Sequence, residues 1–219
     1  MKITRYAQSC ILIETKNKRI LVDPGLYQFE DSLLETDWNN IDILLVTHKD
    51  PDHFHFPAIQ KILGGNKTKF YTSLDVSRKC VGITPEIVKE NDLINIFNIK
   101  IEVTKAIHGF IPFLKGKEPI DNFGFIIDDG DKRVYLCGDT LCFDNNYKCD
   151  ILLVPVSNHG LVMGPFEASV FAKETEAKLI IPYHYESQKF PGNLEEVKIQ
   201  FEKQNLKYKI LEYKETIEV

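Results

Sequence analysis

Residues 47–55 run Thr-His-Lys-Asp-Pro-Asp-His-Phe-His and place five side chains able to hold a metal ion (His48, Asp50, Asp52, His53, His55) within eight positions. Imidazole nitrogens with carboxylate oxygens form the donor set used for zinc, manganese and iron. The cluster directly follows Asp42-Ile43-Leu44-Leu45-Val46, an apolar strand pattern, so it stands at a strand's carboxyl end. Strand ends that face a cleft are where α/β proteins commonly place ligands. Unpaired charges are costly to bury, so these residues belong to a cleft or to a polar loop. The plainer alternative is a loop that caps the next helix, with Asp52 as its N-cap. Three more strand ends carry the same residue types. His108 closes the 101–107 run, Asp139 follows the 134–137 run and Gly138, and His184 follows the 179–182 run. A lone strand-end histidine is ordinarily a structural residue, but the ordered set points to one rim of ligands.

Those ends must be positioned by a frame, and the chain carries a repeat that supplies one. Residues 11–23 (ILIETKNKRILVD) and 125–137 (FIIDDGDKRVYLC) each show an apolar strand, a polar turn ending in Lys-Arg and a second apolar strand, the pattern of a β-hairpin. The pentapeptide DILLV occurs at 42–46 and again at 150–154, and such a run suits a strand covered on both faces. Helix-like stretches follow at 55–63 and 165–175, the second opened by Gly164-Pro165. Each half then offers a lysine and a short strand-like run, at 69–72 and 178–181. The blocks recur in the same order, which predicts two related halves of sheet with outer helices. Between them lie strand-like runs at 93–97 and 100–104, then a Pro- and Gly-containing loop at 111–121. Residues 194–204 suit a terminal helix and 207–218 a final strand or two. No stretch has the composition of a linker, so one domain over 1–219 is expected.

With these positions in hand, the sequence resembles the metallo-β-lactamase superfamily, and within it the group similar to ascorbate-6-phosphate lactonases. The H-x-H-x-D-H signature stands here as His48-Lys49-Asp50-Pro51-Asp52-His53, followed by His108, Asp139 and His184. Leu21-Val22-Asp23-Pro24-Gly25, Leu136-Cys137-Gly138-Asp139-Thr140, Met163-Gly164-Pro165 and Ile181-Pro182-Tyr183-His184-Tyr185 also match. The resemblance implies an α/β (α+β) fold, a four-layer αββα sandwich with internal duplication, and two divalent metal ions. It would give His48, Asp50 and His108 to one ion, Asp52, His53 and His184 to the other, and Asp139 to both. A hydroxide between the ions would attack a lactone, ester or phosphodiester, with Asp52 also handling the proton.

Position 50 departs from the family, which has His there. Asp50 is shorter and adds a negative charge, so water in the site is acidified less, and iron or manganese gains on zinc as the bound metal. Two other readings follow. One is a non-haem iron redox enzyme related in ligand type to the flavodiiron proteins; the other is a metal-binding member without turnover. Asp23 is either a turn residue before Pro24 or an acceptor orienting a ligand histidine. His159, in the loop after the second DILLV run, is expected to face substrate or transfer a proton. His55 suits a helix start or a substrate contact, and Lys49, Lys115 and Lys117 could meet an anionic small-molecule substrate.

The net charge of -5, without a basic block, gives no indication of a nucleic-acid partner. Five cysteines at irregular spacing make a poor disulfide framework and suit free thiols in a reducing compartment. The N-terminus lacks a signal-peptide pattern and no apolar run approaches a membrane span, so a cytoplasmic protein is expected.

Overall fold

The architecture is taken from a computed structural model that describes residues 1–30, 38–64, 67–110, 121–157 and 159–219. Lys115, Lys117 and nearly all of the 111–121 loop lie outside the described residues. The chain divides into two compact units, residues 1–89 with 211–219, and residues 90–210. Each unit is built on one sheet.

The first unit contains β1 (Lys2–Arg5), β2 (Ile11–Glu14), β3 (Arg19–Val22), α1 (Leu26–Glu30), β4 (Ile43–Val46), α2 (Phe56–Leu63), β5 (Lys69–Thr72), α3 (Leu74–Ser77) and β6 (Glu86–Ile87). The second contains β7 (Leu93–Ile96), β8 (Ile99–Lys105), β9 (Phe123–Asp128), β10 (Arg133–Leu136), β11 (Ile151–Pro155), α4 (Pro165–Thr175), β12 (Leu179–Tyr183) and α5 (Leu194–Lys203). The last strand, β13 (Thr216–Glu218), returns to the first unit. The strand orders are β13-β1-β2-β3-β4-β5-β6 and β12-β11-β10-β9-β8-β7.

The repeat in the sequence is a repeat in the fold. Hairpin β2–β3 is antiparallel, β4 lies parallel to β3, α2 crosses over, and β5 lies parallel to β4. Hairpin β9–β10, strand β11, helix α4 and strand β12 follow the same path. Registers correspond as well. Leu12, Leu21, Leu44 and Phe70 form a row across the first sheet, and Ile126, Tyr135, Leu152 and Ile180 the same row across the second. The first row packs with Ile59 and Ile62 of α2, the second with Ala168 and Phe171 of α4 and Val197 and Phe201 of α5. Burying each such side chain stabilises the fold by about 1.5–3 kcal/mol. Residues of the opposite strand face, including Ile13, Ile20, Ile43 and Leu45, are also fully buried, which explains why the strands read as continuous apolar runs rather than alternating ones.

Both Lys-Arg hairpins end on the same clip. The Arg19 amide donates to Asp42 Oδ2 at 2.9 Å, and the Arg133 amide to Asp150 Oδ2 at 2.9 Å. The aspartate opening each DILLV run thus locks a hairpin to the parallel strand beside it. Asp52 is not the N-cap of α2; His55 occupies that position, with Pro57 in the first turn. The 207–218 run yields one named strand, β13, and Tyr208 pairs with Ile180 as an isolated bridge. Helix α5 starts where Asn193 accepts the Glu196 amide at 3.1 Å.

Candidate functional site

In the first unit the 48–53 loop leaves β4 and is pressed against the turn after β3. The Leu26 amide donates to the Pro51 carbonyl at 2.7 Å, and a Cβ on Gly25 would lie 2.0 Å from the Asp52 carbonyl oxygen. Only glycine fits there. The turn begins at Asp23, fully buried and in the left-handed region at φ 50°. Its carboxylate accepts the Thr47 amide at 2.7 Å, the Thr47 hydroxyl at 2.8 Å and His53 Nδ1 at 2.9 Å. Burial pushes the Asp23 carboxyl up from its ordinary value, and the neighbouring His53 and Thr47 donors pull it back. Asp23 therefore fills both sequence readings, as the residue that opens the turn before Pro24 and as an acceptor for His53.

The proton count then fixes both imidazoles of this loop. Thr47 has one hydroxyl proton, and it goes to Asp23. At 2.9 Å from His48 Nδ1, the same oxygen therefore accepts, so His48 carries its proton on Nδ1 and its lone pair on Nε2. His53 Nδ1, facing the Asp23 carboxylate, is protonated likewise, and the Ser9 hydroxyl oxygen lies 2.9 Å from His53 Nε2. His48 Nε2 lies 3.8 Å from Asp50 Oδ2, and His53 Nε2 lies 3.9 Å from Asp52 Oδ2. The ring centroids are 4.0 Å apart. A neutral imidazole whose other nitrogen is held by an acceptor is the form that binds metal, so the donor chemistry of this loop fits a divalent cation.

The second unit gathers its three predicted ligands from three separate strand ends. Asp139 Oδ2 lies 3.5 Å from His108 Nε2 and 3.2 Å from His184 Nε2. His108 Nδ1 donates to the Gly109 carbonyl, which again leaves the lone pair on Nε2. The ends are tied together by hydrogen bonds onto their main-chain carbonyls. The Leu141 amide donates to the Ile107 carbonyl at 2.8 Å, the Tyr183 hydroxyl to the Gly138 carbonyl at 3.0 Å, and Asn122 Nδ2 to the Asp139 carbonyl. Gly138 at φ 65° and His184 at φ 64° are both left-handed. For His184 this conformation is costly and marks a position where the surroundings override local preference.

Other predicted residues lie as follows. His159 is exposed, with its ring 5.5 Å from that of Phe190. Lys49 pairs with Asp75 at 2.7 Å. Tyr183 is buried, and its hydroxyl donates to the Gly138 carbonyl. Cys137 is buried, and burial raises its thiol well above the ordinary value. Two residues that the sequence did not single out touch the first ligand loop: Ser9, and Gln8, whose Nε2 donates to Asp52 Oδ2 at 3.2 Å. They reach it from the β1–β2 turn, and the only hint in the sequence is a polar pair between two apolar runs.

A family model described as the β-lactamase superfamily domain matches residues 2–184. The chain belongs to the metallo-β-lactamase superfamily. A metal-dependent hydrolase of Korarchaeum cryptofilum is 30% identical over 98% of this chain and 96% of its own length. Among solved structures, the metallo hydrolase Igni18 of Ignicoccus hospitalis superposes with a TM-score of 0.80 at 24% identity, covering 99% of this chain and 97% of its own. The metallo-β-lactamase fold protein YhfI of Bacillus subtilis does so at 0.79 and 17%, over 99% and 98%. These likenesses give the metallo-β-lactamase fold to the mixed α/β, two-sheet architecture described above. Among the described residues no helix is long and apolar enough to cross a membrane.

Proposed function

We propose that the chain is a metal-dependent hydrolase acting on a small anionic molecule with a lactone, ester or phosphodiester bond. The supporting observation is the Asp23–Thr47 relay, which holds His48 and His53 as neutral Nε2 donors beside the Asp50 and Asp52 carboxylates. Family membership extends the ligand set to His108, Asp139 and His184, with two ions shared as the resemblance implies. Bound divalent ions would supply an acidified water and a polarised electrophile. The residues contribute the rest. Asp139 presents one carboxylate oxygen to both of its histidines. Asp52 accepts the proton released by the attacking water. His159 meets the substrate from the loop after β11.

Asp50 supports a second reading. A carboxylate in a position usually held by His favours a harder ion, and an iron-dependent redox reaction would use the same residues. Elemental analysis of the purified protein, with hydrolysis assays on lactone, carboxylic ester and phosphodiester probes before and after chelation, separates the two. Chelator-sensitive hydrolysis is expected. Tightly held iron with oxygen consumption and no hydrolysis would overturn the proposal. Asp139→Ala is expected to lose metal at both positions, and full occupancy in that variant would remove Asp139 from the shared role.

A further inference from the structure

The β1–β2 turn contains a residue whose backbone and side chain disagree with its local preference. Gln8 sits at φ 55°, a left-handed conformation that costs a residue with a Cβ about 1–2 kcal/mol. Glycine or asparagine is the usual occupant of such a position. The turn is nevertheless firmly built. The Tyr6 amide donates to the Cys10 carbonyl at 2.9 Å, the Cys10 amide to the Ala7 carbonyl at 3.2 Å, and the Ala7 amide to the buried Gln28 side chain at 2.9 Å. Gln8 itself is 1% exposed, and its side-chain amide reaches Asp52 Oδ2 at 3.2 Å. A strained backbone kept under a long, buried, neutral donor points to a task for that donor.

We propose that Gln8 is a positioning residue that holds the Asp52 carboxylate in place for metal binding and proton handling. The inference rests on the hydrolase reading above. Asp52 sits on an irregular loop, and the Gln8 amide at 3.2 Å narrows the rotamers open to its carboxylate. A lysine or arginine would do so too, but its charge would cancel the attraction of Asp52 for a cation. Glutamine fixes the carboxylate and leaves its negative charge intact, and an amide does not titrate, so the hold is the same at every working pH.

The test uses zinc alone as the probe, titrated in competition with a chelating dye, on the parent chain, Gln8→Ala and Gln8→Met. Methionine keeps the length and packing of the side chain and removes the N–H. Both variants are expected to bind zinc about tenfold or more weakly, the scale for losing a group that orients a metal ligand. Restoration of parent affinity by Gln8→Met would overturn the proposal, because packing alone would then suffice. The second readout is the Gln8 side-chain amide signal in the 15N NMR spectrum of the metal-free protein. Its shift is expected to move on Asp52→Asn, and an unmoved signal overturns the proposal. A parent chain that binds no zinc sinks the metal reading, and the amide signal then decides the role of Gln8 by itself.

Discussion

The two units share one plan and use it differently. In the first, a single loop after β4 carries four candidate ligands, and one buried carboxylate behind it orients two of them. In the second, the loop after β11 carries none of the predicted metal ligands. Its three candidates stand on the ends of β8, β10 and β12 and are held by hydrogen bonds onto main-chain carbonyls of those ends, two of them from the Tyr183 and Asn122 side chains. The contrast is sharpest at equivalent positions. The Asp23 amide donates to Leu45 O, and the Cys137 amide to Leu153 O, so the two residues occupy the same place in the repeat. One is an acceptor that sets ligand geometry; the other is a buried thiol filling space beneath a glycine turn. The repeat sets where polar residues can emerge, and each half supports its candidate ligands differently, by a buried carboxylate in one and by donors to main-chain carbonyls in the other.

If that contrast is right, replacing the equivalent pair should give unequal results. Asp23→Ala leaves the Thr47 amide and His53 Nδ1 without their buried acceptor and should cost about 3 kcal/mol in denaturant unfolding. It should also weaken metal affinity by about 10- to 100-fold. Cys137→Ala should cost only about 1 kcal/mol and leave metal content alone. Comparable metal loss in both variants would break the distinction. A somewhat smaller effect tests the backbone support of the second unit. A Cβ at Gly138 would stand 2.2 Å from the Phe123 carbonyl oxygen in a left-handed conformation, whereas one at Gly130, also left-handed, meets nothing within 4 Å. Gly138→Ala should therefore destabilise by about 3 kcal/mol and Gly130→Ala by about 1 kcal/mol, as read from thermal unfolding. Equal losses would mean that the close approach at Gly138 is easily relieved.

The smallest effect probes what the halves have in common. Asp42→Ala and Asp150→Ala each remove the clip to an arginine amide and should each cost about 1 kcal/mol. The Lys178 side chain and the Arg133 amide hold the Asp150 carboxyl below its ordinary value. Its folded pKa is thus the lower one, so its contribution is complete above the unfolded value of about 3.9 and disappears as pH falls through the folded value. An Asp150→Asn variant should show a flatter acid limb in a stability–pH profile. A limb identical to the parent's would remove Asp150 from the pH response.

Much of the frame was legible because the repeat writes it twice. Both hairpins, both DILLV strands and both crossover helices fall within a residue or two of their expected bounds. Apolar runs and Lys-Arg turns are local signals, and local signals determine hairpins and parallel core strands. The second unit's candidates were visible as strand ends, and the structure brings His108, Asp139 and His184 together there. What escaped depends on tertiary approach. The short β1, β6, α1 and α3 carry too few residues for a periodicity. Gln8 and Ser9 lie about forty positions from the loop they serve, at a separation no motif encodes. Asp52 has the right chemistry for an N-cap but its carboxylate meets Gln8, and α2 begins after His55, the residue that also suited a helix start in the sequence.

The hydroxyl of Thr47 has a wider consequence for how this protein can change. Because one oxygen dictates the tautomer of His48 and leans on the same carboxylate that dictates that of His53, the two imidazoles are wired in series. A substitution there cannot retune one ligand and spare its neighbour. Variation in metal preference enters more freely at Asp50, whose carboxylate faces His48 Nε2, the ring nitrogen turned away from Thr47.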